Sequence, residues 1–248
     1  MLSTATSLKS TDAPMTSSSD IASKTDAELL GVMMDPSRPA AERAQACSWA
    51  GQRRLRDALP ALLQIARIEE NPLLVWASLA ALGTLGSRVS TRPLIMIFRS
   101  TQSPTKRQGA IFALGRLYDP RARSVLVKIV SDRKEDDKSR GLAAEALGLL
   151  RPAKASTSAL IGALGDVEAE VRYSALLAVG ALRCREALPA VERLKNDSTP
   201  VDGDGTMADH ASMVISDIES APGRRPAVRP RSRITGGNKD PGRKRKGQ

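Results

Sequence analysis

The stretch that decides the fold is Pro104-Thr-Lys-Arg107-Gln-Gly-Ala110-Ile-Phe-Ala113-Leu114-Gly115-Arg-Leu117. Its last glycine returns at Gly51, Gly83, Gly148 and Gly180, so that the successive intervals are 32, 32, 33 and 32 residues. A small residue stands five before each of them: Ala46, Ser78, Ala110, Ala143 and Ala175. An apolar residue directly precedes the last four (Leu82, Leu114, Leu147, Val179), and a leucine follows two later (Leu85, Leu117, Leu150, Leu182). Self-similarity at this period marks an array of stacked supersecondary units, none of which buries its apolar face alone.

Each unit reads as two helices. The first opens at a proline in three copies, Pro39, Pro72 and Pro104, where a missing N–H costs nothing. The second carries aliphatics at 11 and 14 past the glycine: Leu62 and Ile65, Leu94 and Ile97, Leu126 and Ile129, Val191 and Leu194. In the fourth unit they slip by one, to Leu160 and Ala163, in step with its longer interval. A spacing of three places each pair on one helical face.

Glycine inside a helix costs about 1 kcal/mol relative to alanine, so its recurrence needs a reason. Two are open. Absence of a β-carbon lets a neighbouring helix approach closely, or the glycines end the first helices as left-handed caps.

Thr25-x-x-Glu28 is a capping box in front of Leu29, Leu30, Val32 and Met33, and Asp35-Pro36 stops that run. A short N-terminal capping helix is expected there. At the other end, Met207, Ala211, Ile215 and Ile218 repeat the first-helix spacing, with Ser216 where a glycine would stand. This predicts a C-terminal capping helix, reached through the loop Thr199-Pro-Val-Asp-Gly-Asp-Gly205.

The frame Arg-x-x-Ala-x-x-x-Leu-Gly-x-Leu, with Ala58-Leu-Pro-Ala-Leu62 and Ala187-Leu-Pro-Ala-Val191 after it, resembles the HEAT repeats of the bilin-lyase type over residues 36 to 220. That resemblance implies an all-α, right-handed α-solenoid of about five HEAT-like helix pairs with terminal capping helices, whose usual role is an interaction surface. Its expected boundaries are 36–70, 71–102, 103–135, 136–165 and 166–199, with a partial unit at 200–220, inside a solenoid spanning 25–220. Deoxyhypusine hydroxylase shares the repeat but needs several His and Glu ligands for iron, and this chain has one histidine, His210. Asp202-Gly-Asp-Gly fails as a calcium loop, since Met207 and Met213 stand where glycine and glutamate belong. Neither a metal nor any other cofactor is expected, and no catalytic residue is assigned.

The frame's arginine recurs at Arg43, Arg107, Arg140 and Arg172; the second unit departs with Val75. Such a column either lines a binding surface or holds the acidic end of a neighbouring repeat, and the structural ladder is the preferred reading. Trp49 replaces the alanine found two before the other glycines and is expected to pack under the N-terminal cap. Trp76 and Tyr173 share the column seven before the glycine, and their polar handles suit a half-exposed partner groove or an amphipathic anchor equally well; the partner itself is expected along the groove of the second helices.

Charge is unevenly placed. Residues 221–248 carry ten Lys or Arg against one acid, leaving the remaining 220 residues only two positive charges in excess. That tail, like residues 1–24 with their Ser and Thr, has no apolar periodicity and is expected to be disordered. Arg224, Arg225, Arg229, Arg231, Arg233, Arg243, Lys244, Arg245 and Lys246 could hold a polyanion, a nucleic acid or an anionic surface, though without aromatics to stack on bases. Cys47 and Cys184, 137 positions apart, read as reduced core thiols. With no membrane span and no secretory signal, a cytoplasmic location is expected, or nuclear in a cell that has a nucleus. The functional expectation is therefore a non-enzymatic scaffold or adaptor for a protein partner, tethered by its tail. Polyanion binding through that tail and a bilin-lyase-like or chaperone-like accessory are the alternatives.

Overall fold

The computed structural model describes residues 18–201 and 205–220. Two short helices, α1 (Ser18–Ala22) and α2 (Asp26–Met34), precede five helix pairs. These are α3 (Ala40–Gln52) with α4 (Leu59–Ile68), α5 (Pro72–Leu85) with α6 (Thr91–Ser100), and α7 (Pro104–Arg116) with α8 (Arg123–Ser131). Then come α9 (Asp137–Gly148) with α10 (Lys154–Ala163), and α11 (Ala169–Ala181) with α12 (Leu188–Arg193), before the single α13 (Met207–Ser220). No strand occurs among the described residues, only one isolated bridge between Pro200 and Thr206 in the loop before α13. The architecture is an all-α, HEAT-like solenoid.

Local chemistry sets the helix ends. Pro72 and Pro104 occupy the first helical turn, and the side chains of Asn71 and Ser103 accept hydrogen bonds from the free N–H groups behind them. Pro39 stands one residue earlier, as the cap of α3. Asp136 caps α9 by accepting from Ser139 N at 2.8 Å. At α2 the capping box closes in both directions: Thr25 N donates to Glu28 Oε2 at 2.7 Å, and Glu28 N donates to Thr25 Oγ1.

One expectation for residues 1–24 is corrected. Residues 18–22 form α1, and its Ile21 is fully buried in the core, because a single apolar side chain held over α3 suffices where a capping helix is already docked. Residues 1–17, and the whole basic tail, lie outside the described residues.

The glycine column lies at the seam between first helices. A β-carbon at Gly51 would stand 2.8 Å from Cα of Ala81, one at Gly115 2.8 Å from Cβ of Ala146, and one at Gly148 2.9 Å from Cα of Ala178. Each glycine thus faces the alanine two before the glycine of the next unit, so backbones touch where other helices interpose side chains. Gly180 meets Val214 of α13 in the same register. Trp49 takes the alanine's column in the first unit, where no preceding unit presents a glycine, and a large ring is tolerated there, half-buried against the core.

The left-handed cap is a different column, three residues later. Gly86 has φ +70°, and Arg54, Tyr118 and Arg183 take up the same conformation at +55°, +49° and +49°. The two expected roles of glycine therefore belong to two positions in the unit. On the second helices, the aliphatic pairs from Leu62 to Leu194 are all buried, although Leu194 falls in a 3-10 turn just after α12.

Candidate functional site

The arginine column ties the turns between units together. Arg43 Nε donates to Met33 O at 3.0 Å and its Nη1 pairs with Glu69 at 3.1 Å. Arg107 Nη1 donates to Phe98 O at 3.1 Å, at the end of α6, and to Thr101 O at 3.4 Å in the turn entering its unit, and its Nη2 pairs with Glu135 in the turn leaving it. Arg140 joins Glu135 O, at 2.9 Å, to Asp166, at 2.8 Å. Arg172 joins the carbonyls of Asp166 and Val167, both at 3.0 Å, to Asp197 at 2.8 Å. Each guanidinium fork spans two successive turns, satisfying backbone carbonyls with one edge and a carboxylate with another. Glu69, Glu135 and Asp197 sit in the turn leaving the arginine's own unit, so the pairing partner there is not the neighbouring repeat's helix.

The second unit has lost both halves of this device. Val75, buried, stands for the arginine, and its outgoing turn offers Thr101 in place of an acid. Lys106 of α7 reaches back instead, donating to Arg67 O at 3.1 Å and to Glu70 at 2.7 Å. Its ammonium is buried while the Glu70 side chain is 81% exposed.

Stacking uses the residues five, two and zero before the glycine, and in some units those ten, seven and three before it are left facing water. In the second unit these are Leu73, 54% exposed, and Trp76, 39% exposed. The Trp76 ring lies 5.6 Å from that of Phe112 in the third unit. Farther along, Tyr173 meets His210 of α13 edge to face at 5.1 Å, beside exposed Leu177 and Met213. Between the two patches the fourth unit presents the exposed Lys138 and Glu145, with Gly141 buried between them against Ser174. Trp76 and Tyr173 are therefore not brought together, and each finds an aromatic partner in the following unit. Both project from first helices, α5 and α11, and not from the second-helix row where the partner groove is expected. Phe112 and His210 were missed because each stands in a different column from the ring it meets.

The remaining candidates are structural. Asp119, buried, accepts from Thr91 Oγ1 at 2.6 Å and from Arg121 Nε at 2.8 Å, joining the second unit to the third. The Arg121 guanidinium and Thr91 hydroxyl hold its carboxyl far below the usual carboxylate range. Cys47 and Cys184 are free and buried, and burial pushes the Cys47 thiol up to about 12. No group of three or more His, Cys, Asp or Glu among the described residues is placed to hold a metal ion, and no described helix is long and apolar enough to cross a membrane. Residues 202–204 and all ten arginines and lysines of the tail lie outside the described residues.

Comparison with known proteins agrees with this geometry. The family model for HEAT repeats matches residues 27–115, and that for the PBS lyase HEAT-like repeat matches residues 106–132 and 171–197. No curated protein matches significantly. Among solved structures, the complex of CpcE and CpcF of phycocyanin lyase from Nostoc sp. PCC7120 is similar at TM-score 0.52 and 19% identity, covering 64% of this chain and 98% of that one. Human deoxyhypusine hydroxylase in complex with glycerol aligns at TM-score 0.33 and 16% identity, over 81% of this chain and 87% of that one. With its glycine seam, its arginine-tied turns and both repeat models matched, the chain belongs to the HEAT-repeat proteins, and segments of its third and fifth units match the PBS lyase HEAT-like repeat.

Proposed function

We propose that this chain is a non-enzymatic scaffold that holds a protein partner against the solvent-facing side of its first-helix row. The observation that carries the reading is the patch of Leu73, Trp76 and Phe112. Stacking has already filled the other faces of α5 and α7, so this patch has no internal role. Aromatic anchors of this kind dominate the energetics of protein interfaces. The basic tail, Arg224 to Lys246, adds electrostatic tethering that weakens with salt.

Affinity capture from lysate of the native host tests this. Full-length chain should retain its partner, a Leu73→Glu/Trp76→Glu variant should lose it while keeping its circular dichroism melt, and Lys138→Glu should behave as wild type. Equal capture by all three would sink the assignment of the patch.

The PBS lyase HEAT-like match favours a second reading, a bilin-lyase-like accessory. It requires that the chain, co-expressed with a bilin, purifies with visible absorbance. A colourless protein that still captures its partner leaves the scaffold reading standing alone.

A further inference from the structure

The folded body has nearly balanced charge, yet the turns inside the hairpins do not. From the residue after each motif glycine through the start of the second helix (52–59, 84–91, 116–123, 149–156 and 181–188), eleven Lys or Arg face three acids. In the turns between units (35–39, 67–72, 99–104, 131–137, 164–169 and 193–201), ten acids face seven bases. One edge of the stack is a basic ridge.

Many of its guanidinium groups are already engaged. Arg53 holds the carbonyls of Ala22 and Lys24 at 2.6 and 2.8 Å, Arg88 reaches Tyr118 O at 3.2 Å, and Arg121 reaches Asp119 and Arg88 O. Arg123 donates to Arg151 O at 2.8 Å. By contrast, the side chains of Arg54, Arg56 and Arg116 have no ion-pair or hydrogen-bond partner among the described residues, and all three line a single cleft of about 420 Å³. No carboxylate is among its lining residues.

The cleft exists because of the left-handed column. Arg54, Gly86 and Tyr118 occupy equivalent positions in three consecutive units, and glycine in the middle one leaves a gap between the arginine and the tyrosine. Arg116 enters over Gly83, whose β-carbon would stand 3.0 Å from that of Arg116. Arg54 and Tyr118 adopt positive φ where glycine is the unstrained choice, a steric cost borne at the two walls of the gap.

We infer that this cleft binds an oxyanion group, a carboxylate cluster or a phosphorylated side chain, presented by a peptide segment. Three free forks on one gap suit a compact, multiply charged oxyanion. A nucleic-acid backbone instead needs free cations along a continuous track, and here the engaged Arg88, Arg121 and Arg123 interrupt it. That the oxyanion is peptide-borne rests on the scaffold reading above; its capture by the cleft does not involve the Trp76 patch.

Fluorescence anisotropy with full-length chain tests the inference, using a labelled oligoglutamate peptide, its phosphoserine counterpart and a short DNA duplex as probes. The Arg54→Ser/Arg56→Ser/Arg116→Ser variant should weaken at least one peptide by about a hundredfold, from the loss of several charge-assisted hydrogen bonds. The peptide that suffers the larger loss identifies carboxylate or phosphate. Arg151→Ser/Arg183→Ser, which removes two charges of the same ridge outside the cleft, should leave peptide affinity near wild type. Equal losses in both variants, or none in either, would assign binding to the diffuse field or the tail and overturn the site. A larger loss for the duplex than for both peptides would overturn the peptide assignment. The Leu73→Glu/Trp76→Glu chain should bind the peptides normally, which separates failure here from failure of the partner patch.

Discussion

A β-carbon at Gly115 would stand 2.8 Å from that of Ala146, whereas one at Gly162, inside α10, would meet nothing within 4 Å. The same substitution therefore has opposite signs at the two sites. Gly162→Ala should stabilise by about 0.5–1 kcal/mol through reduced backbone entropy and better helix propensity. Gly115→Ala should destabilise by about 1–2 kcal/mol because overpacking outweighs that gain, and Gly115→Leu should do so by more. Urea midpoints compare the three directly. Asp119 supplies a second residue-level test. Its carboxyl titrates lower in the folded chain than in the unfolded one, so its contribution is present above the unfolded value of about 4 and disappears as pH falls toward the folded value. Stability of the wild type should decline with acid below about pH 4, and Asp119→Asn, less stable at neutral pH, should flatten that decline; identical acid profiles would refute the role.

At the scale of the elements, the paired absence of arginine and acid in the second unit suggests an experiment already performed once within this chain. Asp166→Ala, which leaves the buried Arg140 guanidinium without its carboxylate, should cost about 3 kcal/mol. Arg140→Val/Asp166→Thr, importing the Val75 and Thr101 pair, should cost less than the sum of its single changes in a double-mutant cycle. What could be read from the sequence follows the same division. The seam was legible because glycine and alanine recur at fixed columns, and the capping box because its two partners are three residues apart. Partners of the arginines were not, since the carboxylates lie 26, 28, 26 and 25 residues onward, in turns of unequal length. Helix α1 escaped notice because five residues with one buried aliphatic have no periodicity to detect. The oxyanion cleft draws on three units at once, and no single copy of the motif contains it.

Across the whole molecule, each pair is stabilised chiefly by its neighbours, so a local lesion should divide the stack. Both tryptophans, Trp49 and Trp76, lie in the first two units and report on that end alone. Gly148→Leu, which wedges the fourth unit from the fifth, should lower the midpoint seen by far-UV circular dichroism while tryptophan fluorescence melts later, splitting one transition into two. Coincident curves would mean the solenoid unfolds as one block. The joint where Lys106 substitutes for a guanidinium has a different kind of consequence. A single ammonium on a flexible stem, paired with a carboxylate mostly in water, resists shear less than a planar fork anchored on two carbonyl-lined turns. The two turns that flank the second unit are thus the ones joined without a guanidinium fork, in the unit that carries Trp76. A guest seated on Trp76 therefore bears on the one repeat whose neighbouring bends lack a rigid clasp.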